Sequence, residues 1–173
     1  MTEHPVYRLE QRSDGGFTLS AEDCDTLRVG SEAGSWRLTG SDRLDGLELR
    51  RLGDGQGRFQ MVAAGGEAEA GRSSVGPGAD ARSGARDLVM ADGRVYRMLL
   101  RGPEDPRFEL TGWETTGPYL TARPEPDGWS IVPEPACAGL DEIQALLILF
   151  AAEILDTGDP GSVMGTDAER TAS

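Results

Sequence analysis

The chain of 173 residues has no lysine, no asparagine, one histidine and two cysteines. The histidine, His4, lies close to the N-terminus. Ser-His-Asp, Cys-His and histidine-rich metal chemistry are therefore almost excluded, since each needs a positioned imidazole. Cys24 and Cys137 are far apart in sequence and predict neither a disulfide framework nor a metal site. We expect no metal and no cofactor.

Basic charge is scarce as well. The 17 basic residues are all arginines and stand against 30 acidic residues, which gives a net charge of −13. A fold that attracts nucleic acid or anionic lipid over a distance needs a basic surface. The composition therefore predicts no nucleic-acid partner, and an anionic ligand would need a local cluster of arginines.

Signals for export or membrane insertion are missing too. Residues 1–5 have neither the basic region nor the apolar stretch that is typical of a signal peptide. The one long apolar run, residues 140–156, has acidic ends and is shorter than the about 20 apolar residues that span a bilayer. We expect a cytoplasmic protein with no transmembrane segment and with reduced thiols.

Short segments of alternating apolar and polar residues make up most of the chain. In residues 35–39, for example, Trp36 and Leu38 share one face of a strand and Arg37 lies on the other. Turn residues separate such segments, and we count about eleven or twelve strands between residues 6 and 132. Three large aromatic side chains are expected to fill the core: Trp36, Trp113 and Trp129.

Three connecting segments carry their own signals. Asp92 and Gly93 lie between apolar runs and predict a two-residue type I′ hairpin turn, because both central positions of that turn need a positive φ. Residues 71–86 are rich in glycine, serine, alanine and arginine and predict a long mobile loop. Residues 157–173 are polar and glycine-rich and predict a disordered tail.

Residues 140–156 predict the only long helix. Asp141 suits the N-cap position, and Gln144 follows at the spacing of a capping box. No residue from Ala145 to Ala152 is polar, and at about 100° per residue this run covers every side of a helix. A helix that is apolar all round is normally buried, so residues 141–156 are expected to form a core helix.

The apolar helix indicates which fold the strands form. A sandwich of two sheets has no place for a helix that is apolar on all sides, whereas a closed barrel has one, and closure also removes the sheet edges. A helix of about 15 residues is roughly 22 Å long, similar to a wall of tilted strands. We therefore predict a mainly β domain over residues 5–156: a closed antiparallel barrel of about twelve strands around a buried C-terminal hydrophobic helix.

Residues 140–156, with an acidic start, a Leu/Ala-rich centre and an acidic end, follow a run of strands from Val6 to Val132. This order resembles the tubby C-terminal-like superfamily, which includes tubby proteins, phospholipid scramblases, LURP-one-related proteins and small bacterial members. The resemblance implies a barrel around a helix and a non-catalytic binding or scaffold protein with a protein partner. Tubby members bind phosphoinositides through Lys/Arg on the barrel surface, which implies anionic lipid headgroups as an alternative ligand.

The densest basic positions are the candidates for such a ligand. Arg97 and Arg101 share one face of an alternating strand and could hold a phosphate or a carboxylate. The more ordinary interpretation is an outward face whose arginines pair with local acids. A second arginine pair occurs earlier in the chain: Arg50 and Arg51.

Glu153 is the charged residue that interrupts the apolar helix. If the barrel encloses it, it must be paired or neutral, and an arginine from the wall is the expected partner. The alternative is an enzyme that uses enclosed carboxylates, which requires a solvent-connected cavity at Glu153. The carboxylates at the helix ends, Asp141, Glu142 and Asp156, and the Asp23–Asp25 turn are interpreted as structural.

Overall fold

The structure, a computed structural model, describes the greater part of the chain. It covers residues 6–13, 16–22, 26–32, 35–40, 44, 46–51, 57–63, 69–75, 86–101, 104–112, 118–134 and 140–157. His4, Cys24, Cys137, Trp113 and the Asp23–Asp25 turn lie outside these ranges, as do residues 158–173 of the predicted tail.

Within the described ranges, twelve strands and one helix follow one another. The elements are β1 (Tyr7–Gln11), β2 (Phe17–Ser20), β3 (Leu27–Glu32), β4 (Ser35–Thr39), β5 (Leu47–Arg51), β6 (Gly57–Ala63), β7 (Glu69–Val75), β8 (Arg86–Met90), β9 (Val95–Arg101), β10 (Arg107–Gly112), β11 (Pro118–Glu125), β12 (Gly128–Pro133) and α1 (Leu140–Thr157). Each strand pairs antiparallel with the next, and β1 pairs with β12, so the sheet closes into a barrel. The predicted fold class is confirmed.

Apolar and polar residues alternate along the strands, and this alternation explains which side chains point into the barrel. In β1, Tyr7 and Leu9 are buried, whereas Arg8 and Glu10 are exposed. The strand register then aligns inward residues of neighbouring strands, since Leu9 lies opposite Leu19 on one side and opposite Trp129 on the other. These rings of apolar side chains form one hydrophobic core together with the helix.

The helix α1 fills the barrel interior. Every residue from Leu147 to Ala151 is 0% exposed, and these five consecutive residues point to all sides of a helix. The helix begins one residue earlier than predicted, so Asp141 lies in its first turn rather than at the N-cap, and Thr157 belongs to the helix rather than to the tail. Among the described residues, no helix has the length and apolarity needed to cross a bilayer.

The helix runs back through the barrel towards the start of β12. Leu155, in its last turn, lies beside Gln11, the final residue of β1, and beside Gly128, the first residue of β12. All odd-numbered strands end here and all even-numbered strands begin here, because consecutive strands alternate in direction. We call it the hairpin end.

The prediction of a long loop over residues 71–86 is wrong at both of its ends. Residues 71–75 belong to β7 and Arg86 begins β8, while residues 76–85 lie outside the described ranges. One of the small residues that suggested a loop, Gly71, lies where the helix packs closely against the wall. A Cβ added to Gly71 would lie 2.9 Å from Leu149 Cδ1, so packing against α1, and not a turn, explains this glycine.

The β8–β9 hairpin lies where predicted, but its turn is longer. The Met90 N–H donates to the Arg94 carbonyl (2.9 Å) and the Gly93 N–H to the Met90 carbonyl (2.9 Å). Three residues, 91–93, therefore connect the strands, and Gly93 has a φ of 88°. Asp92 Oδ1 accepts a hydrogen bond from the Arg94 N–H (2.9 Å), a local contact that favours this wider turn over the predicted type I′ turn.

The close approach at Gly71 gives a stability prediction. We expect Gly71→Val to lower the free energy of unfolding by about 1–3 kcal/mol, because overpacking forces neighbouring side chains off their rotamers. The matched control is Gly30→Val, also in a strand, where an added Cβ meets no atom within 4 Å. Urea unfolding followed by circular dichroism would measure both. Equal effects at the two positions would contradict the packing explanation.

Candidate functional site

The charged group inside the barrel is a buried ion pair. Glu153, in α1, is 0% exposed and Arg86, in β8, is 1% exposed. The Arg86 Nε lies 2.6 Å from Glu153 Oε2. The wall arginine expected from the sequence is therefore present, and it is Arg86.

A hydrogen-bonded chain continues from this ion pair into the sheet. The hydroxyl of Ser73, which is also 0% exposed, donates to Glu153 Oε1 at 3.1 Å and accepts from the Phe59 N–H at 3.1 Å. Glu153 is thereby connected to β6, β7 and β8, the strands that α1 contacts most. Such a network can fix the rotation and the depth of the helix in the barrel.

The geometry gives Glu153 no route to solvent. Its side chain has no exposed surface, and it lines neither of the two pockets at the hairpin end. The enzyme hypothesis required a solvent-connected cavity at this carboxylate, and the described residues do not form one there. The arrangement is suited to holding the helix rather than to transferring protons.

The sequence analysis missed Arg86 because it assigned this residue to the end of a loop. A weak signal was present. Arg86 and Leu88 are two residues apart, and side chains at this spacing lie on the same face of a strand. Extending the predicted strand by one residue would have placed Arg86 inside the barrel, where the charge of Glu153 needs a partner.

The four arginines proposed for ligand binding do not come together. Arg50 and Arg51 lie in β5 and Arg97 and Arg101 in β9, with three strands between them. Two of these side chains are described and both pair with acids. These pairs agree with the more ordinary interpretation of an outward, self-paired surface.

The two pairs have similar geometry. The Arg97 Nε donates to Asp87 Oδ1 at 2.9 Å, and this hydrogen bond and the carboxylate charge raise the pKa of the Arg97 guanidinium. Arg50 Nη2 lies 3.2 Å from Glu48 Oε2. The side chains of Arg51 and Arg101 lie outside the description.

A different set of arginines does line up on the outer wall. Arg28, Arg37, Arg50 and Arg72 are all exposed. Arg50 lies opposite Gln60, and Gln60 lies opposite Arg72 in the next strand. We call the four residues the arginine row. Adjacent strands are about 4.8 Å apart and diagonal neighbours about 7–8 Å. The row therefore has neighbouring arginines on β3, β4 and β5, and Gln60 in β6 separates Arg50 from Arg72 in β7.

Glutamates lie within the same face. Arg50 contacts Glu48, as described above, and Arg72 Nε lies 3.7 Å from Glu69 Oε1. Glu69 also accepts a hydrogen bond from Gln60 Nε2 at 2.6 Å. On the described side chains of this wall, basic residues therefore outnumber acidic ones, which is the reverse of the balance over the whole chain.

The described residues at the hairpin end form a recess. A cavity of 180 Å³, which we call the hairpin-end pocket, opens where the last turn of α1 meets the wall. Its lining residues are Gln11, Phe17, Trp36, Phe59, Ala152, Leu155 and Asp156. Three are aromatic and come from β2, β4 and β6, and the Trp36 and Phe59 ring centroids are 6.2 Å apart.

A second hollow of 290 Å³ adjoins this pocket. Gln11 and Leu155 line both, so the last turn of the helix separates the two recesses. Glu125 and Trp129 contribute to the second hollow. Both recesses therefore combine apolar or aromatic walls with a carboxylate.

Metal binding has no support in the described part of the chain, where no group of three or more His, Cys, Asp or Glu residues forms a candidate site. Comparisons of the chain with protein-family models, with curated proteins and with solved structures gave no significant match. The function is therefore argued from the geometry of this molecule.

Proposed function

We propose that the chain is a small, non-catalytic, cytoplasmic binding or scaffold protein of the tubby-like or LURP-one-related type. The observation that carries this proposal is the filled interior. The helix occupies the barrel, and its central residues are completely buried on every side. Barrels that take up a small ligand keep a cavity in their interior, and here that space is occupied by the protein's own chain.

Two further observations support the proposal. The twelve-strand antiparallel barrel around a C-terminal helix is the architecture that the resemblance to the tubby-like group implies, although a shared fold is only an analogy for function. The enclosed carboxylate is paired with Arg86. Recognition of a partner then falls to the outer wall and to the hairpin end.

Affinity capture tests this function directly. The immobilised protein is exposed to a lysate of its native host, and captured proteins are identified and re-tested as purified components. We expect a protein partner that binds at a defined stoichiometry. A measurable turnover in a broad screen of hydrolase and transferase substrates, lost in a variant of a named residue, would overturn the non-catalytic assignment.

The arginine row favours a second candidate, the binding of anionic lipid headgroups. Neutralising several phosphates with arginines gives a binding constant that falls steeply as salt rises. This alternative therefore predicts co-sedimentation with vesicles that contain phosphatidylserine or a phosphoinositide, at low salt but not at high salt.

Matched variants locate the lipid-binding face. The double variant Arg50→Ala plus Arg72→Ala should reduce vesicle binding about thirtyfold, at roughly 1 kcal/mol for each arginine at a membrane surface. The double variant Arg97→Ala plus Arg101→Ala tests the pair proposed from the sequence and should retain binding, because both residues lie in β9, outside the arginine row. Absence of vesicle binding at low salt rejects the lipid alternative altogether.

A further inference from the structure

The hairpin-end pocket combines features that select for a cation. Trp36 and Phe59 present two aromatic rings to the same recess, tilted by 35° to each other, and Phe17 lines its wall. A guanidinium or ammonium group is attracted to the face of an aromatic ring within about 6 Å of the ring centroid. Leu155 and Ala152 complete an apolar surface for the alkyl part of such a side chain.

The end of the helix adds negative potential at the same place. The last carbonyls of a helix have no partners within it and carry about half a negative charge in sum. The last turn of α1 contains no basic residue to offset this charge, and the carboxylate of Asp156 lines the pocket beside it. Anionic ligands are therefore disfavoured here.

Exposed carboxylates also lie around the pocket. The described acidic residues at the hairpin end, besides Asp156, are Glu104, Asp105, Glu125 and Asp127, all of them exposed. Two of these carboxylates are already paired: Asp105 with Arg107 and Arg123, and Asp127 with Arg8. The hydrogen bond from Arg123 keeps the pKa of the Asp105 carboxyl below its ordinary value. Arg12 also lies at this end of the barrel.

The volume of the pocket limits the size of the ligand that it can hold. Small-molecule sites usually measure about 300–1,000 Å³, and the 180 Å³ here is better matched to one long side chain. The second hollow adjoins the pocket and includes Glu125, so a neighbouring residue of the same ligand can enter it.

We propose that the hairpin-end pocket binds an arginine or lysine side chain from a basic, extended segment of a partner protein. The inference rests on the proposed binding function and names the chemistry of its partner. The pocket receives the cationic group between Trp36 and Asp156, and the adjoining hollow receives a second basic residue beside Glu125. The arginine row, on the outer wall, takes no part.

The test uses the full chain and a defined probe. The probe is a short blocked peptide with two arginines separated by a glycine, and its control contains citrulline, which is neutral and nearly isosteric, in place of both arginines. Titration calorimetry and tryptophan fluorescence would measure binding at low salt. We expect the arginine peptide to bind and the citrulline peptide to bind at least about tenfold more weakly, as expected when a charge-assisted contact is lost.

Variants place the binding in the pocket. Trp36→Leu keeps an apolar side chain but removes the ring, and we expect it to weaken binding about two- to tenfold. Asp156→Asn should weaken binding by a similar factor, whereas Asp92→Asn, which removes the same charge from the β8–β9 turn at the other end of the barrel, should not. Circular dichroism confirms that each variant is folded, and Trp36→Phe, which retains a ring, should restore most of the affinity.

Several outcomes overturn the proposal. These are equal binding of the two peptides, no binding at low salt, and equal losses for Asp92→Asn and Asp156→Asn. Self-association abolished by Trp36→Leu would show that a second copy of the chain occupies the pocket. If a captured host partner binds regardless of the pocket variants, the binding function stands and this assignment of its site fails.

Discussion

Replacing Glu153 by leucine is expected to lower the free energy of unfolding by about 3–5 kcal/mol, the cost of leaving one member of a buried ion pair without its partner. Arg86 is 1% exposed, so its guanidinium cannot turn to water when the carboxylate is removed. The Ser73 hydroxyl also loses its acceptor, Glu153 Oε1. Chemical denaturation followed by tryptophan fluorescence would measure the change.

The double variant Arg86→Met plus Glu153→Leu separates the cost of burying an unpaired charge from the value of the pair. Replacing both members of a buried ion pair by apolar residues is often neutral or stabilising, so we expect the double variant to recover to within about 1 kcal/mol of the natural chain. This comparison remains informative if Glu153→Leu alone does not fold, because the double variant is then expected to fold where the single one does not.

An exposed ion pair in the same barrel provides the control. Arg97 and Asp87 pair at 2.9 Å, but the Arg97 side chain is 49% exposed. Removing Asp87 by Asp87→Ala should therefore change the free energy of unfolding by less than about 1 kcal/mol. A cost for Glu153→Leu as small as that for Asp87→Ala would mean that the barrel admits water to Arg86.

If the ion pair orients the helix rather than stabilising it, we expect the side chains of the double variant to pack in a less ordered way. The Glu153 network connects one side of α1 to β6, β7 and β8, whereas the side chains of residues 145–152 are all apolar and pack through non-directional contacts. Near-ultraviolet circular dichroism and the dispersion of amide resonances would then deteriorate in the double variant at unchanged stability.

The sequence predicted the barrel because two patterns pointed to the same solution. Alternating strands such as β1 and β12 define an inner face, and the helix that is apolar on all sides requires an enclosure. The register between the strands could not be predicted from the sequence. The hairpin-end pocket depends on it, since Phe17, Trp36 and Phe59 come from three different strands and meet only once those strands are aligned.

The same limit explains the error over residues 71–86. Gly71 and Ser73 are the inward residues of β7, and they are small because α1 comes closest to the wall there. Small polar residues in a strand are indistinguishable in sequence from those of a loop, and the packing reason for them becomes visible only when the helix is in place. Arg86 was missed along with this strand.

We expect alanine substitutions to be destabilising on every side of α1. A helix that packs against one surface of a sheet has a solvent face. Positions on that face recur every 3–4 residues, and substitutions at them have little effect on stability. Here Leu147, Ile148, Leu149 and Phe150 point in successive directions and are all 0% exposed. We expect each alanine variant to lower the free energy of unfolding by about 2–5 kcal/mol, as for deletions of large side chains from other cores.

The two ends of the helix supply the controls for this scan. Gln144 and Leu155 are half-buried, so Gln144→Ala and Leu155→Ala should cost less than the four central variants because a smaller area returns to water. Equilibrium unfolding in urea, with the slope against denaturant checked for constancy, would give all six values. A repeating pattern in which one of the four central positions tolerates alanine would place that side of the helix against solvent. The barrel interior would then be open to a ligand, and the proposal that recognition takes place on the outer wall and at the hairpin end would lose its basis.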